Sequence, residues 1–252
     1  MSVVAVAGDV ATTTAVALAA AWSTTGDLLL VEADPSGGDL AAWFDMPVEP
    51  SLSSVVTRVL DGAWPDIERL TRLADNGLRV LPAPASLTEA SQAVDEAARA
   101  VVPALSATRT PVTIADTGHL VPVPNPFRDA AAVTVIVHRQ APQSSRAAAV
   151  RLQRLVEQVE LAGRVPTALV VAVVGADPFG IGEIERFVAD GVGDTPVVGL
   201  PVDDLAAAVL AGRSGVSAKR LARLPLLRAA RDLAVTVERC LESADALGRM
   251  AR

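Results

Sequence analysis

Short apolar runs alternate along the chain with longer segments whose apolar residues recur at helical spacing. The runs that predict strands are Val3–Val6, Leu28–Glu32, Leu78–Leu81, Val112–Ala115, Val133–Val137, Ala168–Val174 and Val197–Leu200. Most of them are continuously apolar rather than alternating, which predicts strands buried on both faces. Strands that alternate with helices predict an α/β fold, a mostly parallel sheet between two layers of helices. We expect residues 1–252 to form a single domain of this kind.

The intervening segments predict the helices. They are Ser51–Leu60, Pro65–Ala74, Ser86–Leu105, Ser144–Leu161, Ile181–Val188, Asp203–Leu210 and a last segment from Ser217 that breaks before Pro225. In a parallel sheet, ligands bind at the carboxyl ends of the strands. The loops after the strands are therefore expected to line one edge of the sheet and to hold any site.

The first strand leads into a turn of small residues, Gly8–Thr12, and then into an Ala-rich helix that ends near Trp22. This layout is typical of a phosphate-binding loop, in which backbone N–H groups and the positive end of a helix meet a phosphate. A Walker A loop also needs a lysine and glycines. Here Thr12 stands in the place of the lysine, and Asp9 and Ala11 stand where glycines are expected.

Composition narrows the class of protein. Cys240 is the single cysteine, which excludes an internal disulfide and suits a reducing cytoplasm. No uncharged stretch is long and apolar enough to predict a membrane-spanning helix, and no basic residue precedes the first apolar run, so a secretory signal is not expected. The two histidines and one cysteine lack the spacing of a zinc site.

Charge is distributed unevenly along the chain. Residues 1–129 carry 16 acidic and 7 basic residues, whereas residues 130–252 carry 13 and 15. One acid-free segment contains Arg213, Lys219, Arg220, Arg223, Arg228 and Arg231. It predicts either an electropositive surface for DNA, an acidic partner or anionic lipid, or a solvated helix face. A second basic stretch carries Arg139, Arg146, Arg151 and Arg154.

Several segments, in the same order, resemble the MinD/ParA family of deviant Walker A ATPases. Residues 7–14, Ala-Gly-Asp-Val-Ala-Thr-Thr-Thr, resemble the family's K-G-G-x-G-K-T-T loop. Residues 32–35 resemble its D-x-D-P switch, 116–118 its Walker B end, and 140–145 its N-P-E-x-x-S segment without the acid. Residues 198–203 and 211–215 resemble its last motifs. The resemblance implies the fold of P-loop nucleotide-binding proteins.

The resemblance also implies where a nucleotide site would lie. Its residues would be Gly8, Asp9, Val10, Ala11, Thr12, Thr13, Thr14, Pro201 and Val202. Magnesium would be held by Thr13, Asp34 and Asp116, of which Asp34 and Asp116 occupy the family's catalytic positions. Each also has a structural interpretation: Thr13 as a helix cap, Asp34 as a turn cap and Asp116 as the end of a strand.

Both signature lysines are absent, replaced by Ala7 and Thr12. A charge pair at 4 Å is worth about 4 kcal/mol at an effective dielectric constant near 20, so the loss at Thr12 weakens nucleotide binding on the order of 10²–10³-fold. Asp9 would weaken it further if its carboxylate faced the phosphates, but not if it faced solvent. Lys219 would replace the missing cation only from a partner subunit or a folded-back tail.

Three functions are compatible with this sequence. The first is a pseudo-ATPase scaffold, similar in kind to the CpaE/TadZ branch, which positions pilus or secretion machinery through a CpaF-type ATPase. The second is a weak ATP–Mg²⁺-dependent switch that closes a homodimer. The third is a partition protein that binds DNA nonspecifically through Arg220, Arg223, Arg228 and Arg231. ATP hydrolysis is not expected in the first, and no cofactor or only weak ATP–Mg²⁺ binding is expected overall.

Overall fold

Eight strands form one sheet, and its centre lies at the first strand. The computed structural model describes residues 3–22, 28–61, 71–74, 77–107, 112–121, 124–141 and 144–250. The strands are β1 (Val3–Gly8), β2 (Leu28–Glu32), β3 (Arg72–Leu73), β4 (Arg79–Leu81), β5 (Val112–Asp116), β6 (Val133–Arg139), β7 (Ala168–Val174) and β8 (Val197–Leu200). Their order across the sheet is β3-β4-β2-β5-β1-β6-β7-β8. All strand pairs are parallel except β3 with β4.

Helices connect the strands. In chain order they are α1 (Ala11–Ala21), α2 (Leu40–Trp43), α3 (Leu52–Leu60), α4 (Leu87–Ala97), α5 (Val101–Ala107), α6 (Pro126–Asp129), α7 (Ser145–Ala162), α8 (Ile181–Val192), α9 (Asp204–Leu210), α10 (Ala218–Leu221) and α11 (Pro225–Met250). The predicted α/β architecture is confirmed. Within the described ranges, none of these helices combines the length and apolar character needed to cross a bilayer.

The core is divided by the sheet into separate apolar clusters. On one face α1, α9 and α11 pack on the strands, with buried side chains such as Leu18 and Leu233. On the other face α3, α4, α5 and α6 surround Phe127 and Leu105, while α7 and α8 form a second cluster around Leu155 and Ile184. Side chains of β1 enter clusters on both faces, because its residues alternate in direction and all six are buried.

The sequence predictions fail at two places in the described chain. Residues 65–70 of the predicted helix Pro65–Ala74 lie outside the described residues, and Arg72–Leu73 form a strand instead of helix. Their backbone pairs with β4 in an antiparallel edge, with Arg72 opposite Val80. The segment Ser86–Leu105, predicted as one helix, is divided into α4 and α5 between Ala97 and Val101. An exposed two-residue edge strand and a short break between helices leave little signal in hydrophobic periodicity.

Candidate functional site

The loop between β1 and α1 is held by close backbone contacts to the neighbouring strands. Gly8 has φ +120°, and a side chain there would collide with the carbonyl oxygen of Val137. The Gly8 N–H donates to the carbonyl of Gly118 at 2.9 Å, and the Asp9 N–H donates to that of Val137 at 2.9 Å. These bonds fix the loop between β5 and β6, so only glycine fits at this position.

Val10 adopts the left-handed conformation, with φ 49° and ψ 37°, immediately before α1. This conformation is unfavourable for a β-branched residue, by roughly 1–2 kcal/mol, and such strain is concentrated at functional sites. Thr14 stabilises the turn, because its backbone N–H and its hydroxyl both donate to the Val10 carbonyl at 3.1 Å. The start of α1, which is the positive end of the helix, is therefore fixed directly after β1 by the Val10 turn.

The side chain of Asp9 is held within the protein by contacts to the end of β6 and to α7. Its Oδ2 accepts from the Arg139 backbone N–H at 3.0 Å and pairs with the Arg151 guanidinium at 2.9 Å. Arg151 also donates to the Arg139 carbonyl at 3.2 Å. The side chains of this ion pair are a little over one-third exposed. His138 is buried beside them, and burial lowers its pKa.

Two buried carboxyl groups lie side by side at the carboxyl ends of β2 and β5. Glu32 is opposite Asp116 in the strand register. Burial raises the pKa of Glu32 to about 7, against three backbone N–H donors, those of Asp39, Leu40 and Ala83, which lower it. Glu32 thus ties the loop after β2 to the loop after β4, which is a structural role.

Asp116 is the more chemically suggestive of the two. It is fully buried, and burial raises its pKa to about 6, with Asp34 and Asp39 adding to the rise. Its Oδ1 accepts from the Gly118 N–H at 3.1 Å, whereas its buried Oδ2 has no hydrogen-bond partner. The Thr12 hydroxyl lies close enough to lower the pKa of Asp116, but it does not donate a hydrogen bond to Oδ2. A buried acceptor without a donor favours a cation or a bound water nearby.

Asp34, in the loop after β2, also lies at this site, close to Gly118. Its carboxyl group lies where a side chain on Gly118 would be, and its Oδ1 accepts from the Ser36 N–H at 2.8 Å, which closes the turn at Pro35. The structure therefore brings Asp34 and Asp116 together at Gly118. Thr12 is the threonine beside Asp116, while Thr13 lines a cavity on another side of α1.

That cavity, of about 210 Å³, lies between the β1–α1 loop and the loop after β8. Among the residues predicted for a nucleotide site, Val10, Thr13, Thr14, Pro201 and Val202 line it together. Pockets for drug-sized ligands measure about 300–1,000 Å³, so this space is small for a complete nucleotide. The remaining loop residues, Gly8, Asp9, Ala11 and Thr12, complete the turn beside it.

Sequence reasoning missed two arginines at this site. Arg139 lines the cavity, and Arg151 pairs with Asp9. The sequence does contain a signal for Arg139, because it ends a strand whose neighbour is β1. Arg151 lies in a helix 142 residues after Asp9 and had no local signal. The basic residues Arg213, Lys219, Arg220, Arg223, Arg228 and Arg231 are all exposed, in α10, α11 and the adjoining loops.

The fold matches solved structures of MinD and ParA proteins. A ParA family ATPase from Chlorobium tepidum superposes with a TM-score of 0.69 over 93% of this chain and 97% of that chain, at 16% identity. The septum site-determining protein MinD from Pyrococcus horikoshii, solved with Mg-ADP, gives 0.68 over 93% and 94%, at 15% identity. The predicted resemblance to this family is thus confirmed at the level of fold.

The same fold also carries different chemistry. Cobyrinic acid a,c-diamide synthase from Mycobacterium smegmatis, solved with an ATP analogue and magnesium, gives a TM-score of 0.60 over 96% of both chains, at 20% identity. No protein-family model and no curated protein matches the sequence. The function must therefore be argued from the site and not from the fold.

The residues at the site form only part of a cation site. Asp34 and Asp116 bring carboxylate oxygens, which Mg²⁺ prefers, together at Gly118, and Asp116 Oδ2 is an acceptor without a partner, whereas Thr13 lines the separate cavity and does not join them. In the described part of the chain, no group of three or more acidic, histidine or cysteine side chains is arranged to hold a metal alone. For a triphosphate, the loop offers no lysine and carries the carboxylate of Asp9. The residues present therefore do not fit ATP hydrolysis.

Proposed function

We propose that this protein is a MinD/ParA-fold pseudo-ATPase that positions other proteins by direct contact. The observation that carries the proposal is the state of Asp9. A carboxylate stands where the resemblance expects a glycine of the phosphate-binding loop, and it pairs at the protein surface with Arg151 and accepts from the Arg139 N–H. The loop therefore carries its own carboxylate–guanidinium pair and has no lysine.

The electrostatics of the site support this proposal. Ala7, at the first lysine position, is fully buried in β1, and Thr12, at the second, lies beside Asp116. Glu32, Asp34, Asp39 and Asp116 bring four carboxyl groups to the ends of β2 and β5. A triphosphate entering here would add negative charge to an acidic site whose loop has no lysine to stabilise a transferring phosphoryl group.

The finer assignment is part of the same proposal. The degenerate loop suggests a role like that of the CpaE/TadZ branch, in which the protein works in the cytoplasm as a homodimer and positions a CpaF-type secretion ATPase. The exposed residues from Arg213 to Arg231 offer an electropositive surface for an acidic partner. Salt-dependent binding of this surface to unrelated DNA sequences would instead favour a partition protein.

One observation favours a second candidate, an ATP–Mg²⁺-dependent dimerisation switch. Arg139 lines the cavity with Thr13 and Thr14, so one cation is present near the phosphate-binding loop. Together with the unpartnered Oδ2 of Asp116, it would support weak binding of a nucleotide. In this candidate the nucleotide closes a dimer and is hydrolysed slowly.

The two candidates are separated by measuring phosphate release from ATP–Mg²⁺. We expect the wild-type protein and an Asp34→Asn variant to release phosphate at the same background rate, because the loop lacks both lysines. The variant controls for contaminating ATPases, since these are unaffected by the substitution. A wild-type rate above background that falls in Asp34→Asn would contradict the pseudo-ATPase and support the switch.

A further inference from the structure

A groove lies between α6 and α7, away from the cavity at the phosphate-binding loop. It measures about 540 Å³, within the range of ligand sites. The helices on this face form two clusters, one with Phe127 of α6 and one with Leu155 of α7. One wall of this α6–α7 groove is formed by α6 (4 residues) and the residues before it, and the other by the second half of α7 (18 residues) and the residues after it.

The groove has an apolar surface that continues to its edges. Leu120 and Val165 are half-buried in it, and Ala162 is buried. Val121 on one side and Leu161 on the other remain 44% and 46% exposed. Apolar side chains that line both the floor and the edge of a concave surface are typical of a site that a larger partner covers.

Three arginines, Arg128, Arg154 and Arg164, line this apolar surface. Arg128 donates to the Val121 carbonyl at 3.4 Å. Within the described residues, no ion pair involves Arg154 or Arg164, and both are exposed. With Asp129 and Glu157 in the same lining, the three arginines give the groove a net charge of +1, in a chain whose net charge is −7. The groove is complementary in charge to an acidic ligand.

The composition of the groove distinguishes among acidic partners. Asp129 and Glu157 also line it, so a continuous chain of phosphates would meet repulsion. Among the described residues that line it, none is an aromatic side chain on which bases would stack, which disfavours nucleic acid. A peptide that alternates apolar and acidic side chains would fill the apolar floor and reach the arginines while keeping its carboxylates away from Asp129 and Glu157.

We infer that the α6–α7 groove is the docking site for an acidic segment of a partner protein, a short stretch with one or two apolar side chains flanked by Asp or Glu. The inference deepens the proposed positioning role, since it names the surface and the chemistry of the partner. It uses none of the residues of the phosphate-binding loop. The groove and the pseudo-ATPase assignment are therefore tested separately.

The test is selection of a phage-displayed library of random 12-residue peptides on the purified full-length protein. An Arg154→Glu/Arg164→Glu variant serves for counter-selection. We expect the enriched peptides to share apolar residues flanked by Asp or Glu. The best peptide, labelled with fluorescein, is then measured by fluorescence anisotropy. No enrichment, or a consensus without acidic residues, would overturn the inference.

Matched variants locate the binding. Arg154→Glu/Arg164→Glu is expected to lower the affinity for the peptide by roughly tenfold or more, and Leu161→Ser is expected to lower it several-fold. Arg146→Glu/Arg186→Glu makes the same change of charge at exposed positions outside the groove and should leave affinity within about twofold. Equal losses in both double variants would show nonspecific electrostatics and refute the site.

Sedimentation of the protein alone separates a partner from a second copy of this chain. We expect Arg154→Glu/Arg164→Glu to sediment as the wild type does. A change in oligomeric state would mean that the groove joins two copies, which contradicts the inference. If the protein binds the peptide and also hydrolyses ATP, the docking site is supported and the pseudo-ATPase assignment is rejected. If it does neither, the docking site is rejected and the pseudo-ATPase assignment stands.

Discussion

At the scale of single residues, the site is defined by where carboxyl groups lie relative to cations. Asp9 has a cationic partner in Arg151, whereas Asp116 is buried with one oxygen unpartnered. In the family that the sequence resembles, the corresponding loop carries lysines and glycines. Here one acid has been neutralised by a distant arginine and the other has not, so the free energy of burying Asp116 remains as a destabilising contribution.

Asp116→Asn is expected to stabilise the protein in a manner that depends on pH. The folded pKa of Asp116 is about 6, above the ordinary 3.8, so the folded state holds its proton more tightly and the penalty grows as pH rises from about 4 to 6. At pH 8 the penalty amounts to about 3 kcal/mol, and removing the charge should recover part of it. The benefit of the substitution should therefore grow by about 1 kcal/mol between pH 5 and pH 8.

Urea unfolding at both pH values measures this effect, with Asp95→Asn as the control because Asp95 is exposed on α4. The control should change stability by less than about 0.5 kcal/mol at either pH. A benefit of Asp116→Asn that shrinks as pH rises would show that Asp116 is stabilised by its surroundings, contrary to this description.

At the scale of elements, the site is assembled from loops that bind to one another through backbone groups. Gly8 is fixed to Gly118, and Glu32 joins the loops after β2 and β4. Asp203 does the same for two helices. Its Oδ1 accepts from the Ala206 N–H at 2.9 Å at the start of α9, and its Oδ2 accepts from the Leu226 N–H at 3.3 Å at the start of α11.

Asp203→Ala should therefore destabilise the protein more than an ordinary cap. One N-cap is worth about 1 kcal/mol, and this side chain serves two helix ends, so we expect a loss of about 1–2 kcal/mol. Asp204→Ala, next to it and exposed in the first turn of α9, should cost no more than about 0.5 kcal/mol. Thermal and urea unfolding of both variants decide the point, and equal losses would mean that Asp203 does not join the two helices.

At the scale of the whole molecule, the fold was predictable and the state of the site was only partly so. Continuous apolar strands such as Ala168–Val174 and the order of the motifs specify a parallel sheet with helices on both faces, because burial on both faces leaves a direct trace in sequence. The meeting of Asp34 with Asp116 follows from strands that end at one edge.

The remaining features depend on contacts between distant parts of the chain. Whether Asp9 faces solvent or phosphate was open in sequence, and its pairing with Arg151 was decided by the packing of α7 against β6. The sequence predicted helix where Arg72–Leu73 form an antiparallel edge strand, because two residues are too few to show a periodic pattern. The α6–α7 groove is lined by two segments that are distant in sequence, 120–129 and 154–165, and has no motif.

The central claim, that this fold keeps a phosphate-binding loop without the charge that binds ATP, is tested by calorimetric titration with ATP–Mg²⁺. Wild type, Thr12→Lys and Thr57→Lys are compared, the last adding the same charge at an exposed position of α3. We expect no binding up to millimolar ATP in wild type and Thr57→Lys. Thr12→Lys should bind measurably, since one charge at this position is worth on the order of 10²–10³ in affinity. Micromolar binding of ATP by the wild-type protein would contradict the claim.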